Sequence, residues 1–410
     1  WPVVDGLLRR VATSGAVVTT TFFDGLYRPV RVERSAPPER TLVQIEHVDS
    51  ADRVIFRSRW GFDGDVLYGD AFTYDGLGRL VSVADSAAPS AIREYRYLSG
   101  NRTESREPDG ALTVTTRSGY GGPDDGDVVR IDRPLGVTTQ IERDIFGHVM
   151  SVRQFGEQGG YAVDEVRRTF YDEHFRPCRD SVPEAGDTLF AYDAAGQLVG
   201  EARGQPAGEG CAPLPAADRI SHQHDALGRL VLVDFPAGTP DIQHEYDAAG
   251  HRTRLRRGET DWRYRRDANG RLTEETLTID GREYVTRYEY SPEGYPAARM
   301  TADRELRYEL DAMGRPNGVR VDGTVLVTQV DWHADGTLAG VRFAGGEWLR
   351  RSRDARGQLD QIQWEDAGGV RRVDLRYAHD AGGRIVTLED RVGGGDRTFA
   401  YDALGRLTHA

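Results

Sequence analysis

The sequence predicts an all-β protein in which antiparallel β-hairpins repeat along one long sheet. A short phrase close to aromatic-Asp-Ala-x-Gly-Arg-Leu occurs thirteen times in 410 residues. The segments between the copies alternate polar and apolar residues with a period of two, and no stretch keeps the apolar spacing of an amphipathic helix for three turns. Because a phrase that recurs at a near-constant spacing indicates a repeat architecture, we expect the sheet to grow by addition of similar units.

The copies of the phrase differ in how closely they match. The clearest copies start at Tyr74, Tyr192, His224, Tyr246 and Tyr401. Looser copies start at Phe23, Arg143, Tyr171, Arg266, Leu310, Trp332, Arg353 and His379. The phrase covers most of the chain, so it decides the fold prediction.

Each copy has the chemistry of a tight turn. An Asp accepts hydrogen bonds from the backbone that follows it, two residues form a type I turn, and a Gly takes the left-handed conformation of a G1 bulge. The aromatic residue ends one strand and the Arg-Leu pair starts the next. The candidate structural residues at the hairpin tips are Asp75, Gly78, Asp193, Gly196, Asp225, Gly228, Asp247, Gly250, Asp267, Gly270, Asp402 and Gly405.

The spacing of the turns suggests two regions of one sheet. From Asp225 to Asp402, with Ser291 and His333 in the Asp slot, the steps are 22, 20, 24, 20, 22, 21, 26 and 22 residues. About twenty residues hold two strands and two connections, so one repeat is one hairpin. The first half is less regular, and weaker turns at 107–110 and 133–136 fill its gaps. We expect degenerate repeats over 1–150 and regular repeats over 151–410, in a fragment of a larger protein.

The composition narrows the architecture and the function classes. Only 38% of the residues are apolar and 29% are charged, a poor supply for a thick core. A single-layer sheet with two partly wet faces, coiled into a spiral or shell, fits this composition. The net charge of −13 argues against nucleic-acid binding, which needs a basic face. No run of eighteen apolar residues predicts a membrane span, and the segment that begins at Trp1 has no signal-peptide pattern.

The candidates for chemistry are weak. Cys178 and Cys211 are expected to be two free thiols in a reducing compartment, with one bridge between neighbouring hairpins as the alternative. Each turn offers one Asp, whereas a calcium site needs several oxygens, so turn capping is favoured; the acidic loop 121–127 is the best ion candidate. His222 and His224 alternate on one strand. We predict no catalytic, cofactor-binding or metal-binding residue.

Other sharp interpretations lack a local signature. The chain has no Gly-x-Ser-x-Gly elbow and no Walker loop, and its 66 acidic residues make chance carboxylate pairs unavoidable. The repeated Tyr residues are interpreted as cross-strand packing residues, although contact with carbohydrate stays open.

The phrases at Tyr74 and Tyr401 resemble the YD repeats of Rhs proteins. That family includes the C subunits of insecticidal ABC toxin complexes, Rhs effectors of type VI secretion and animal teneurins. The resemblance implies a long β-sheet spiral that closes into a hollow shell, or β-cocoon. In the bacterial members the shell encloses a C-terminal toxin domain, and a motif after the repeats carries an aspartate-dependent self-cleavage. No segment here matches that motif, so the resemblance implies no enzyme activity for this chain.

Two functions from different classes follow from the resemblance. The first is the wall of a bacterial toxin container that encloses and helps deliver its own toxin domain. Its partners would be that domain, an N-terminal plug and secretion-spike or toxin-complex subunits, and it would pass from the bacterial cytoplasm to a target cell. The second is a cell-surface adhesion or carbohydrate-binding module. Neither needs a cofactor.

Overall fold

The protein is all-β, as its turns predict. The computed structural model describes residues 3–4, 7–119, 125–158 and 161–410. Within these residues there is no α-helix, and one 3₁₀ turn lies at Pro134–Gly136. No helix of the described residues is long and apolar enough to cross a membrane. Residues 121–124 of the acidic loop that was the best ion candidate lie outside the described residues.

The strands are short and follow one another with small connections. Strands β1 to β13 are Val3–Val4, Leu7–Ser14, Val17–Phe23, Pro29–Ser35, Leu42–Val48, Val54–Ser58, Gly61–Phe62, Gly69–Tyr74, Leu80–Asp85, Ala88–Leu98, Arg102–Arg106, Leu112–Arg117 and Val128–Asp132. Strands β14 to β26 are Thr138–Arg143, Val149–Gln158, Tyr161–Tyr171, Pro177–Val182, Gly186–Tyr192, Leu198–Gln205, Ile220–His224, Leu230–Asp234, Ile242–Tyr246, Arg252–Arg257, Thr260–Arg266, Leu272–Ile279 and Arg282–Tyr290. Strands β27 to β38 are Pro296–Met300, Glu305–Leu310, Pro316–Val321, Thr324–Trp332, Leu338–Phe343, Trp348–Arg353, Leu359–Glu365, Arg371–His379, Ile385–Asp390, Arg397–Thr398, Ala400–Tyr401 and Leu407–His409.

The first 36 strands form one antiparallel sheet. Nearly every strand pairs with the strand before it and the strand after it, which is the topology of a meander. Strand β5 is the exception, because two short strands, β6 and β7, pair with different parts of one side of it. The next strand of the sheet, β8, then pairs with β6. The hairpin β37–β38 surrounds the last copy of the phrase. The sheet therefore grows one strand at a time.

The sheet has two chemically different edges. We call the five residues from the Asp slot to the residue four positions later a motif turn, as in Asp225–Arg229. Because consecutive strands are antiparallel, all motif turns lie on one edge, which we call the motif edge. The other connections lie on the opposite edge. The turns at 107–110 and 133–136, which were expected to fill gaps between motif turns, lie on that opposite edge.

The sheet coils back on itself and closes along a seam, where the motif edge of the C-terminal part meets the opposite edge of the N-terminal part. At one point Arg384 Nη2 lies 2.9 Å from Asp109 Oδ2. At another, Arg315 Nη2 lies 3.9 Å from Glu39 Oε2. The residue numbers differ by 275 in the first pair and by 276 in the second. One coil of the spiral therefore takes about 275 residues.

Further contacts continue the same seam. Arg59 Nη2 donates to the carbonyl oxygen of Ala355 at 2.9 Å. Arg356 Nε lies 3.5 Å from Asp85 Oδ2, an ion-pair distance without hydrogen-bond geometry. Near the start of the seam, Gly15 packs against the side chain of Glu293. The seam is thus polar, and most of its contacts join an Arg to a carboxylate or a carbonyl.

The size of the coil follows from its strands. Strands β3 to β26 separate Gly15 from Glu293, and because β6 and β7 share one row they make about 23 rows. At about 4.8 Å a row, the coil is about 110 Å around and about 35 Å across between backbones. A layer of side chains about 5 Å thick on the inner face leaves an interior about 25 Å wide. The fold is therefore a coiled wall around a space.

The wall is one layer thick over most of its length. Within the described residues ten apolar side chains and eight polar or charged ones are buried. The fully buried set is small, and Val43 and Asp187 are its largest members. This agrees with the apolar content of the sequence, which is too low for a packed sandwich.

The prediction of two free thiols was wrong, and the alternative, a bridge between the two cysteines, is present. Cys178 and Cys211 form a disulfide, and their Cα atoms lie 5.3 Å apart. The physical reason is the path of residues 206–219, which leave β19 and cross the sheet to reach β17. A separation of 33 residues in sequence gave no sign of this approach.

Candidate functional site

The motif turns form the repeated structural unit of the wall. In the turn at Asp225 the backbone N–H of Gly228 donates to the Asp225 carbonyl at 2.9 Å. Gly228 has φ 79°, the left-handed conformation that a G1 bulge needs. The strand register shifts beside the turn, because His224 pairs with Leu230 whereas Gln223 pairs with Leu232. The turn type that the sequence predicts is present here.

The structure places the other predicted turn residues in the same arrangement. The glycines have φ 83° at Gly78, 82° at Gly196, 88° at Gly250, 79° at Gly270 and 78° at Gly405. Asp75, Asp193, Asp225, Asp267 and Asp402 each accept two backbone N–H bonds at Oδ1, and Asp247 accepts one from His251. The residues are not brought together as one site. They are distributed along the motif edge, one pair per hairpin.

The motif Arg has a role that the sequence did not predict. Arg229 Nε donates to Asp225 Oδ2 at 2.7 Å, which completes a ring of bonds around the carboxylate. Arg229 Nη1 also donates to the carbonyl oxygen of Asp247, in the next motif turn, at 2.9 Å. One Arg therefore ties two successive hairpins together.

The aromatic residue of the next hairpin closes the link. The Arg229 guanidinium lies 4.9 Å from the centre of the Tyr246 ring, within cation–π range. Tyr246 Oη donates back to the carbonyl oxygen of Leu230 at 2.8 Å. We call this set of Asp225, Arg229 and Tyr246 a clasp. It explains why an aromatic residue, an Asp and an Arg recur together in the phrase.

Clasps recur along the motif edge. Stacking of a motif Arg on the next aromatic ring occurs for Arg53 and Tyr74, Arg79 and Tyr97, Arg176 and Tyr192, Arg271 and Tyr290, Arg315 and Trp332, and Arg384 and Tyr401. The back-donation to a backbone carbonyl is made by Tyr74, Tyr97, Tyr171, Tyr246, Tyr290, Trp332 and Tyr401. The clasps thus bind neighbouring hairpins through side chains as well as through the strand ladder.

Some turns depart from the phrase and keep its geometry. Tyr27 and Phe175 stand where the Gly would be and have φ 62° and 59°. Asp49 caps a turn that the sequence did not predict, with Arg53 Nε at 2.8 Å from its Oδ2. At His333, in the Asp slot, Asp335 accepts the backbone N–H of Thr337 instead, at 3.0 Å. The clasp chemistry is therefore more widespread than the phrase.

Several motif aspartates are stabilised as anions. The hydrogen bond from the Arg229 guanidinium, with those from the turn backbone, lowers the pKa of Asp225. At Asp172, partial burial raises the pKa, but the bonds from the Arg176 side chain and the backbone outweigh it and lower the pKa to about 2. A carboxylate whose pKa is lower in the folded state stabilises the fold above its unfolded pKa, and that contribution is lost as pH falls through the folded value.

We therefore expect the melting temperature to fall as pH is lowered from about 4 to about 2, the interval between the ordinary Asp pKa and the value at Asp172. Thermal unfolding followed by circular dichroism at several pH values measures this. Asp172→Asn should lower stability at pH 7 and flatten the acid dependence. An Asp172→Asn profile parallel to that of the unchanged protein would show that the clasp does not depend on the charge of Asp172.

The described residues hold no group of three or more His, Cys, Asp or Glu side chains placed to bind a metal ion. His222 and His224 lie on β20, and burial lowers the pKa of His222. The described part of the chain therefore offers a repeated structural site along the motif edge.

Comparison with known proteins supports the fold described above. No family model matches the chain. Among curated proteins, it is similar to the double-stranded DNA deaminase toxin A of Burkholderia cenocepacia, with 29% identity over 259 residues, 62% of this chain and 14% of that protein. The chain therefore spans only a small part of this relative.

Solved structures show the same fold. The crystal structure of TcdB2-TccC3-Cdc42 matches 95% of this chain and 23% of its own, with a TM-score of 0.78 and 16% identity. The structure of the Tc holotoxin pore of Photorhabdus luminescens matches 97% of this chain and 24% of its own, with a TM-score of 0.78 and 15% identity. The chain therefore has the all-β fold, built on one long antiparallel sheet, of the matching part of these structures, and this agrees with the predicted resemblance to Rhs and YD-repeat proteins.

Proposed function

We propose that this chain is part of the wall of a bacterial toxin container, which encloses a toxin domain of the same protein and helps to deliver it. The observation that carries the proposal is the closed coil, in which a single-layer sheet returns to itself after about 275 residues along a polar seam. A wall with this geometry confines its contents by covering them. No binding pocket for a particular ligand is required.

The width of the coil suggests the state of the cargo. A folded domain of about 100 residues has a radius of gyration of about 13 Å and is therefore more than 30 Å across. The interior of this coil is about 25 Å wide by its strand spacing. We therefore infer that a cargo domain lies partly unfolded against the inner face, held by many weak polar contacts.

We assign no catalytic step to these 410 residues. The zinc deaminases carry a His-x-Glu motif and a later Pro-Cys-x-x-Cys motif. Neither motif occurs in this sequence, whose two cysteines are joined to each other. We infer that the similarity to the deaminase toxin concerns its repeats, and that any enzyme activity belongs to a domain outside this sequence.

Protease protection tests containment. In the complete gene product, a reporter domain replaces the domain that follows the repeats, and its digestion is followed over time. We expect the reporter to survive longer than the free reporter. Glu39→Arg with Asp109→Arg, which reverses two seam charges, should shorten its survival. Asp164→Arg with Glu184→Arg makes the same charge change at exposed pairs away from the seam and should not.

One outcome would replace the proposal. If the intact protein leaves its reporter as sensitive as the free reporter, the wall does not contain it. The alternative, a cell-surface adhesion or carbohydrate-binding module, would then account better for the exposed Tyr and Arg side chains, and glycan binding would be the next measurement.

A further inference from the structure

Residues 206–219, which we call the strap, cross the face of the sheet. They leave the opposite edge at the end of β19 and return to it at the start of β20. Between these points the backbone N–H of Gly208 donates to Asp187 Oδ2 at 3.0 Å. Cys211 then reaches the beginning of β17, where its Sγ lies 3.4 Å from the carbonyl oxygen of Tyr171, close to the motif edge. The strap therefore spans most of the width of the wall.

The strap gives this part of the wall a second layer. Beneath it lies a row of side chains on three neighbouring strands, Arg179 on β17, Leu189 on β18 and Ala202 on β19, joined in register. As whole residues, these three are 6%, 4% and 0% exposed. Gly208 packs on the Arg179 guanidinium so closely that a Cβ atom would overlap it. The strap therefore covers Arg179 directly, and Leu189 and Ala202 lie beside Arg179 in the same row.

A buried ion pair lies under the strap. Arg179 Nη1 is 2.5 Å from Asp187 Oδ2, and the side chains are 8% and 1% exposed. The strap supplies one of the bonds to Asp187, through Gly208. If the strap moved away, water would reach both charges, and Asp187 would lose its hydrogen bond from the Gly208 backbone N–H.

One covalent bond holds the middle of the strap to the sheet. Cys178 is the extra residue of a bulge, because Phe170 pairs with Arg179 and Tyr171 pairs with Pro177. A bulge re-aims the side chain of its extra residue, which here meets the strap. Cys178 is 4% exposed, whereas Cys211 belongs to the exposed residues. The two cysteines of the disulfide therefore differ in exposure to solvent.

We propose that this disulfide is a site of thiol exchange, which a small thiol of the glutathione class opens at Cys211 and which thereby releases the strap. The thiolate of the reductant attacks Cys211 Sγ and forms a mixed disulfide there. The bond between the two cysteines breaks, and Cys178 leaves as a thiolate that takes a proton from water. Exchange depends on access to the attacked sulfur, which directs it to Cys211.

Release of the strap exposes the face of β17, β18 and β19. Apart from the disulfide, the strap is held by non-covalent contacts, which include the Gly208 bond to Asp187, the packing of Gly208 on Arg179, the packing of Leu214 against Gly200 and a bond from Gln205 to Asp218. The wall would thus be covered at this place under oxidising conditions and opened under reducing conditions. This inference concerns the chain itself and holds whether or not the chain is a container.

Mass spectrometry with hydrogen exchange on the intact chain tests the proposal. After treatment with reduced glutathione, the adduct should be found on the peptide that contains Cys211, with Cys178 recovered as a free thiol. Amide exchange in β17, β18 and β19 should become faster by about tenfold or more, as expected when a local cover is lost. Exchange in β24, β25 and β26, elsewhere in the sheet, should not change and serves as the internal control.

A variant separates release from unfolding. Cys211→Ser should show the fast exchange in β17 to β19 without any reductant and no further response to glutathione, while β24 to β26 stay protected. Adducts found on Cys178 in place of Cys211, or unchanged exchange in β17 to β19 after reduction, would overturn the proposal.

Discussion

Gly228→Val is expected to lower the free energy of unfolding by about 1–3 kcal/mol, because a β-branched residue resists the left-handed conformation. Gly228 has φ 79°, and a Cβ atom there would lie 2.7 Å from Gln197 Nε2. The substitution therefore meets both backbone strain and a close contact. Urea denaturation followed by circular dichroism measures the change.

The neighbouring residue provides the control. Leu227 is 75% exposed in the same turn, and its φ is not positive. Leu227→Val adds the same kind of side chain and should change stability by less than about 0.5 kcal/mol, as exposed substitutions usually do. Equal losses for the two variants would contradict the turn geometry that the fold depends on.

Asp187→Ala is expected to have a larger effect, about 3–5 kcal/mol, because it leaves the Arg179 charge buried without its partner. Both side chains lie under the strap, at 1% and 8% exposure. Asp164→Ala is the matched control. Asp164 forms the same kind of ion pair with Arg153, at 2.5 Å, but the Asp164 side chain is 53% exposed and the Arg153 side chain is 46% exposed. Exposed pairs contribute about 0–1 kcal/mol, so that variant should stay close to the unchanged protein.

Calorimetry or denaturant unfolding of both variants decides the point. A large loss for Asp187→Ala with a small loss for Asp164→Ala is the expected result. A small loss for both would mean that water already reaches Arg179, and that the strap does not form a second layer over β17 to β19.

Much of the fold could be predicted because the turn chemistry is local. An Asp and a Gly three residues later specify a hairpin tip from within five residues, and the period of the phrase gives the repeat. The turn at Asp49 was not predicted because it lacks both signals of the phrase: Val48 stands where the aromatic residue would be, and Asp52, with φ 67°, stands where the Gly would be. Where a non-glycine residue takes the left-handed conformation, the turn exists without its sequence signal.

The clasp could be predicted only in part. The recurrence of an aromatic residue, an Asp and an Arg was visible, but the Arg acts on the next hairpin, about twenty residues away. Arg229 reaches the Asp247 carbonyl and the Tyr246 ring only because antiparallel strands bring successive motif turns side by side. Sequence spacing alone does not state that neighbouring tips touch.

The seam and the disulfide could not be predicted, because both depend on the curvature of the sheet and the path of one connection. Asp109 and Arg384 meet only after a full coil. Cys178 meets Cys211 only because residues 206–219 cross the sheet. A short connection between β19 and β20 would have stayed at the edge of the sheet.

A distance across the seam tests the closed coil most directly. Spin labels at Ala16 and Glu293, both exposed, would be attached in a double cysteine variant with Cys178 and Cys211 left oxidised, and dipolar spectroscopy would measure their separation. Because Gly15 contacts Glu293 in the closed coil, the labels should give a short distance in contact range. In an open sheet the same positions are separated by about 23 strand rows, on the order of 110 Å. A short distance is the result expected here, and a separation far beyond contact range would contradict the coiled wall.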